Sequence, residues 1–217
     1  MWIAESGVGP SGTAETLPSS FSALFFSLTL LSCLGCGSGT QPETPLIGMA
    51  TDPVGDMTRP GADLVSGRIE VIDGEVLISV RWAPGTFIRD TSRVTLLLDT
   101  DQNPLTGALG INSTHTVDAD VIGSEFVFEF GATSRSTDIV RHVYINPDNW
   151  SLQDLDCCIS YPGDGIDVRF SLAMLGDDDG LMDFKMVSSV DVEPGGFSGW
   201  LDVMPDVGLP ATRVEGG

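Results

Sequence analysis

Hydrophobic and polar residues alternate along much of this chain. The clearest case is a pair of alternating segments, 68–72 and 75–82, separated only by Asp73 and Gly74. In the second segment the apolar residues share one face: Val76, Ile78, Val80 and Trp82. A period of two is that of a half-buried β-strand, and an Asp-Gly pair between two such segments favours a type I′ turn. We therefore predict a β-hairpin over 68–82, with Trp82 in the core.

The same alternation recurs further along the chain. It predicts strands over 93–99, 117–122, 125–130, 139–145, 166–172 and 183–190. Short runs rich in Pro, Gly, Asn and Asp separate these segments, and a single helical turn is expected only at 172–175. About eight strands with short loops predict an all-β fold, specifically an antiparallel two-sheet sandwich of jelly-roll or immunoglobulin-like type, with a closed barrel as the alternative. One face of each sheet is expected to contact water.

The N-terminal segment resembles an export signal. Residues 21–34 form an apolar run of signal-peptide length, too short to span a membrane comfortably. The sequences LLSC and LGC, ending at Cys33 and Cys36, resemble the lipobox of bacterial lipoproteins, which implies cleavage before a lipidated cysteine. Cys33 fits better, because Leu30 and Ser32 occupy the matching positions, and Cys36 is the second candidate.

The predicted organisation has three parts. A signal peptide with lipobox covers 1–36, a flexible tether covers 37–49, and a β-sandwich domain covers 50–217. The run GSGTQPETP supports the tether, because small residues and Pro without periodicity are typical of linkers. Residues 1–32 contain no Lys or Arg, which departs from the basic start of an ordinary signal peptide. A plain cleaved signal and a buried hydrophobic hairpin are the alternatives.

The charge of the chain limits its partners. It carries 31 acidic and 10 basic residues, for a formal net charge of −21. A phosphate backbone would be repelled, which argues against nucleic acid, and the membrane is expected to be reached through the lipid anchor only. Cations are the natural counter-ligands; the alternative is that the acidic excess serves solubility.

One acidic loop has the spacing of a cation site. Asp99, Asp101 and Asn103 directly follow a predicted strand, in the sequence DTDQNPLTG. Alternate oxygen-bearing side chains are typical of calcium loops, although this loop is not an EF-hand. Asp118 and Asp120 are predicted to fold near it and to add ligands for Ca²⁺. The alternative is a structural turn in which the side chains bond the loop's own backbone.

Other aspartates cluster in the sequence. Asp177, Asp178 and Asp179 form a run that is expected to be a solvated turn. Asp52 and Asp56 open the predicted domain, and Asp202 and Asp206 close it.

The order of these motifs resembles a known group of exported domains. An opening DPVGD, a DLVSG before the hairpin, then LLLDTDQNPLTG and DAD look like the DOMON-like and family-nine carbohydrate-binding-module sandwiches, over about residues 50–205. The resemblance implies calcium in many members, with sugar bound on aromatic platforms or haem bound through Met and His. Trp150 and Trp200, which lie in loop-like contexts, are the candidate sugar-stacking residues, and His115 and His142 are the candidate haem ligands.

No catalytic signature was found in the sequence. It contains no GxSxG elbow, no HExxH and no phosphate-binding glycine loop. The resulting prediction is a non-catalytic, exported, lipid-anchored binding module of the periplasm or cell surface, for a glycan or another envelope component, with calcium stabilising a loop. The alternatives are a haem-binding or redox accessory domain of the same sandwich family, and a glycoside hydrolase that uses paired carboxylates.

Overall fold

The computed structural model describes most of the predicted domain. The described residues are 44–57, 63–108, 122–131, 138–146, 149–155, 158–176, 178–190, 202–206 and 208–216. The predicted features that lie outside them are the whole signal peptide, residues 117–121 of one strand, and the candidates Cys33, Cys36, His115, Asp118, Asp120, Asp177 and Trp200. Thr40–Gly217 forms one compact unit. Within the part of the chain that is described, no helix is long and apolar enough to cross a membrane.

The described residues form twelve strands and one short 3₁₀ helix. The strands are β1 Leu46–Thr51, β2 Leu64–Ile72, β3 Glu75–Trp82, β4 Ser92–Asp99, β5 Phe126–Gly131, β6 Ile139–Asn146, β7 Asn149–Asp154, β8 Ile159–Ser160, β9 Gly165–Ser171, β10 Met182–Val190, β11 Asp202–Met204 and β12 Thr212–Gly216. The 3₁₀ helix, Leu172–Leu175, follows β9 where a helical turn was predicted.

All strand pairs are antiparallel. The strands other than β11 lie on one continuous path. The order is β7-β6-β5-β4-β10-β12-β1-β2-β3-β9-β8, and β11 pairs with β10 beside this path. The C-terminal strand β12 joins the two halves, because it pairs with β1 on one side and with β10 on the other. The sheet curls into a half-barrel.

The predicted all-β antiparallel class is confirmed, but the prediction of about eight strands in two separate sheets is not. The additional strands carry little alternation: β8 has two residues, and β7 is exposed at nearly every position. The domain also begins earlier than predicted. Residues 46–49, assigned to the tether, belong to β1, where Leu46 pairs with Val71 of β2.

The predicted hairpin is present with the expected turn. Asp73 and Gly74 both have positive φ, 51° and 74°, as a type I′ turn requires. Trp82 is buried at 2 % exposure, and its indole Nε1 donates to Ser188 Oγ of β10 at 3.1 Å. The hairpin is therefore tied to the other half of the sheet through its largest core residue.

The main core lies on the concave side of the curled sheet. It combines apolar residues of both halves, including Ile69, Ile78, Leu96, Phe128 and Phe184. A second, smaller cluster lies on the opposite face of the sheet, formed by Leu97, Ile122, Val187 and Val203. The expectation of one water-facing side is therefore wrong for the middle of β4 and β10, where Leu97 and Val187 are buried together with Ile122 and Val203.

Candidate metal centre

Five aspartates from distant parts of the chain meet in one place. They form two overlapping trios, Asp52-Asp56-Asp206 and Asp56-Asp63-Asp202, each with ligand oxygens within 4.8 Å of one another. We refer to these five residues as the five-aspartate site. Four of them were recognised in the sequence as the ends of the domain, but not as neighbours; Asp63 was missed. The signal available in the sequence was the repeated spacing of two Asp four residues apart near each end.

The sheet topology explains this convergence. Asp52 and Asp56 follow β1, and Asp63 directly precedes β2, so all three lie at the end of one antiparallel pair. Asp202 begins β11, which contacts β2 as well as pairing with β10. Asp202 Oδ2 accepts a hydrogen bond from Leu64 N–H at 2.6 Å, which fixes the start of β11 against the start of β2.

The loop between β1 and β2 folds back onto the site. Gly55 N–H donates to both carboxylate oxygens of Asp63, at 3.2 and 3.1 Å. Gly55 adopts φ 86°, a conformation that glycine takes without strain. This turn carries Asp56 towards the other four carboxylates.

Asp52 is the exceptional member of the group. It is only 8 % exposed, and among the described residues neither of its carboxylate oxygens has a hydrogen-bond donor. Burial raises the pKa of Asp52 to about 8, with further contributions from the negative charges of Asp202, Asp56 and Asp206. Burial also raises the pKa of Asp202 to about 6, although the Leu64 N–H opposes this shift. Without a cation, Asp52 therefore keeps its proton at neutral pH.

The donor set fits a hard cation. A buried carboxylate is ordinarily hydrogen-bonded, paired with a positive side chain or bound to a metal. Within the described residues, the ion pairs of Arg and Lys involve none of these five carboxylates. The five residues offer only oxygen ligands, which suit Ca²⁺ or Mg²⁺ rather than the metals that prefer nitrogen and sulfur.

The predicted calcium loop forms a second acidic group. Asp99 and Asp101 converge as expected, and the third carboxylate within 4.8 Å is that of Glu125. Glu125 was not among the predicted ligands. Burial raises the pKa of Asp99 to about 6, and the nearby Glu125 charge adds to the shift. The other two predicted ligands, Asp118 and Asp120, lie outside the described residues.

Hydrogen bonds within this loop satisfy Asp99 and Asp101, whereas Glu125 Oε1 is buried without a hydrogen-bond partner among the described residues. Asn103 N–H donates to Asp99 Oδ1 at 3.1 Å and to Asp101 Oδ1 at 2.9 Å, and Thr106 Oγ1 donates to the Asp101 carboxylate at 2.9 Å. Asn103 Oδ1 accepts from Leu105 N–H at 3.2 Å and does not join the carboxylate trio. These contacts are those of a loop closed by Asx-type turns. The five-aspartate site has no such internal compensation at Asp52.

The third acidic run is a turn whose side chains bond the backbone. Gly180 N–H donates to Asp178 Oδ1 at 2.7 Å, and Leu181 N–H donates to Asp179 Oδ1 at 2.9 Å. Nearby, Asp183 forms a bidentate ion pair with Arg213, in which both N–O distances are 2.8 Å. None of these contacts leaves a buried carboxylate without a partner.

The candidate sugar-binding tryptophan lies on an edge strand and not in a loop. Trp150 belongs to β7, is half-buried, and packs edge-on against Tyr144, with ring centroids 5.3 Å apart. His142, the candidate haem ligand, packs edge-on against the same indole at 6.4 Å, and its Nε2 lies 3.2 Å from Glu129 Oε1. The rings form a small aromatic cluster on the sheet surface, with steep angles between their planes.

Comparison with known proteins identified no relative: no family model, no curated protein and no solved structure matches this chain. The resemblances to lipoproteins and to the DOMON-like sandwiches therefore remain predictions from sequence motifs.

Proposed function

We propose that this protein is a non-catalytic, exported binding module whose β-domain is stabilised by a divalent cation at the five-aspartate site. The observation that carries the proposal is Asp52, a buried carboxylate with no hydrogen-bond donor, next to four more carboxylates. A cation supplies the positive charge that the described protein groups do not supply.

Energetics favour metal binding at this position. A buried carboxyl without a partner destabilises the folded state, and neighbouring negative charges increase that penalty. Binding a cation reverses the sign of both effects, because the same burial and proximity then strengthen the attraction. The stabilisation grows with the logarithm of the cation concentration once this exceeds the dissociation constant.

Calcium is the cation that best suits the site. The ligands come from the β1–β2 loop, the start of β2 and the region of β11, and they do not form a symmetrical set. Ca²⁺ accepts six to eight oxygens in flexible geometry, whereas Mg²⁺ demands a near-octahedral shell and retains water. The site contains residues from near the beginning of the domain and from near its end. Bound calcium would therefore connect both regions to the start of β2.

Export and lipid attachment complete the proposal. They rest on the apolar run 21–34 and on the two cysteines that follow it. Intact-mass measurement of the membrane-extracted protein tests this part: Cys33→Ser should remove the added lipid, with Cys36→Ser as the matched control. Lipid lost only in Cys36→Ser would move the anchor to that residue, and an unlipidated parent protein would contradict anchoring.

We propose a glycan as the ligand of this binding module and a sandwich-type fold for its domain. The supporting observation is the contact of Trp150 with Tyr144 on an edge strand, which places an aromatic cluster on the surface. Binding of the full-length protein to a glycan array should be lost in Trp150→Ala and retained in Leu152→Ala, an exposed neighbour on the same strand. Equal binding by both variants would exclude this surface.

Thermal unfolding tests the cation proposal. The full-length chain in a non-ionic detergent should unfold at a higher temperature in calcium than in excess chelator, since a ligand at a hundredfold excess over its dissociation constant stabilises by about 2.7 kcal/mol. Asp52→Asn should lose most of this increase, whereas Asp179→Asn, which changes an exposed acid in a turn, should keep it. An unchanged midpoint in calcium, or a full increase in Asp52→Asn, would refute the proposal.

A further inference from the structure

We propose that the five-aspartate site binds two divalent cations that share Asp56 as a bridging ligand. This inference rests on the proposed cation-binding function and specifies its stoichiometry. Asp52 and Asp206 would complete the first position, and Asp63 and Asp202 would complete the second.

The geometry divides the five residues into two positions. Each trio has its ligand oxygens within 4.8 Å of one another, and Asp56 is the one member that both trios contain. Among the described residues these carboxylates form no larger group that meets the same distance. All five carboxylates therefore cannot bind a single cation without rearrangement. Two cations can be bound with the carboxylates in their present positions.

The burial of Asp52 shows that the first position needs a ligand. Its side chain is more than nine-tenths buried, and both oxygens lack a donor. Asp202, which belongs to the second trio, is close enough to Asp52 for its negative charge to act on that carboxyl group. The two positions are thus adjacent, and their nearest carboxylates repel each other when both are ionised.

The second position is partly organised by the backbone. Leu64 N–H holds Asp202 Oδ2, and Gly55 N–H holds the Asp63 carboxylate. A carboxylate has about four lone-pair sites, so these hydrogen bonds orient the oxygens and leave sites for a metal. Buried Asp63 and Asp202 are therefore held in place before any cation arrives.

The charge balance favours two cations over one. Five ionised carboxylates carry a charge of −5, so one divalent cation leaves −3 and two leave −1. The remaining repulsion is much smaller in the second case. Two metals about 3.5–4 Å apart that share ligands are an established arrangement in proteins.

Equilibrium dialysis with radioactive calcium tests the stoichiometry. It is measured on the full-length chain in a non-ionic detergent, carrying Asp99→Asn and Asp101→Asn so that the second acidic group does not contribute. We expect two calcium ions per chain. The count should fall to one in Asp206→Asn and to one in Asp63→Asn, and Asp56→Asn should weaken both positions.

The outcomes separate this inference from the proposed function. A single calcium per chain, lost in Asp206→Asn and in Asp63→Asn alike, would overturn the two-cation inference and leave the cation-binding function standing. No bound calcium would overturn both. Asp206 is exposed, so Asp206→Asn should fold even if Asp63→Asn does not. Circular dichroism of each variant checks this, and Asp206→Asn alone then decides between one and two positions.

Discussion

The carboxyl groups of Asp52 and Asp202 lie close together inside the domain, where the negative charge of Asp202 adds to the raised pKa of Asp52. Asp202 receives the backbone N–H of Leu64, whereas Asp52 receives no donor. Two acids that are far apart in the sequence therefore lie in one buried place. The protonation or metal occupancy of that place acts on both the β1–β2 loop and β11.

Replacing Asp52 by asparagine should have opposite effects with and without calcium. In excess chelator at pH 7.5, Asp52→Asn should raise the free energy of unfolding by about 1–3 kcal/mol, because the amide carries no charge and can donate to Asp202. With calcium, the variant should be less stable than the parent because a ligand is lost. Chemical denaturation in both buffers measures this. Lower stability in chelator would contradict the unpaired state of Asp52.

The stability of the metal-free protein should depend on pH. The pKa of Asp52 is about 8 in the folded protein, well above its ordinary value of 3.8, so the folded state holds the proton more tightly. The stabilisation is complete below about pH 4 and is lost as the pH rises towards 8. In chelator, the free energy of unfolding should therefore fall by up to about 1.4 kcal/mol per pH unit per group between pH 4 and 8.

Asp52→Asn is the matched control for this pH dependence. Asp202 and Asp99 have raised pKa values and act in the same direction, so part of the slope should remain in the variant. The difference between the two slopes reports Asp52 alone. Parallel curves for parent and variant would show that Asp52 has an ordinary pKa.

The acidic loop after β4 should not be the source of the calcium response. Asp99→Asn combined with Asp101→Asn should keep the increase in unfolding temperature, because each of these carboxylates accepts hydrogen bonds from the loop, whereas neither oxygen of Asp52 accepts one from a described residue. The comparison is made by thermal unfolding with calcium and with chelator. If the double variant loses the increase, the calcium that stabilises the domain sits in this loop.

The same loop should be sensitive to a methyl group at Gly123. A Cβ there would meet the carbonyl oxygens of Thr106 and Asn103, and neither can move without displacing the loop. Gly123→Ala should cost about 1–3 kcal/mol, as overpacking usually does. Gly216→Ala is the control, because its Cβ would meet only Leu46 at 3.8 Å. Equal stabilities by denaturation would contradict the close approach.

The link between the hairpin and β10 should be measurable at Ser188. Ser188→Ala removes the acceptor of the buried Trp82 indole N–H, and a buried donor without a partner costs about 1–3 kcal/mol. Ser160→Ala, at an exposed position, should change stability by less than about 0.5 kcal/mol. A neutral Ser188→Ala would mean that the indole finds another acceptor.

The candidate site was predictable only in part. Asp99 and Asp101 were recognised because their spacing is local, and they do converge. Glu125 was missed there, because it reaches the loop from the start of a neighbouring strand. In the five-aspartate site, spacing alone could not show that Asp52 and Asp202 would meet, since their approach depends on how the sheet curls.

The sequence by itself determined the all-β class and the hairpin around Asp73 and Gly74, because strand alternation and turn chemistry act between residues that are close along the chain. The tertiary structure alone decided that β12 joins the two halves of the sheet and that the aspartates from both ends of the domain share one buried position. Both features depend on pairings between distant segments, which the pattern of neighbouring residues does not encode.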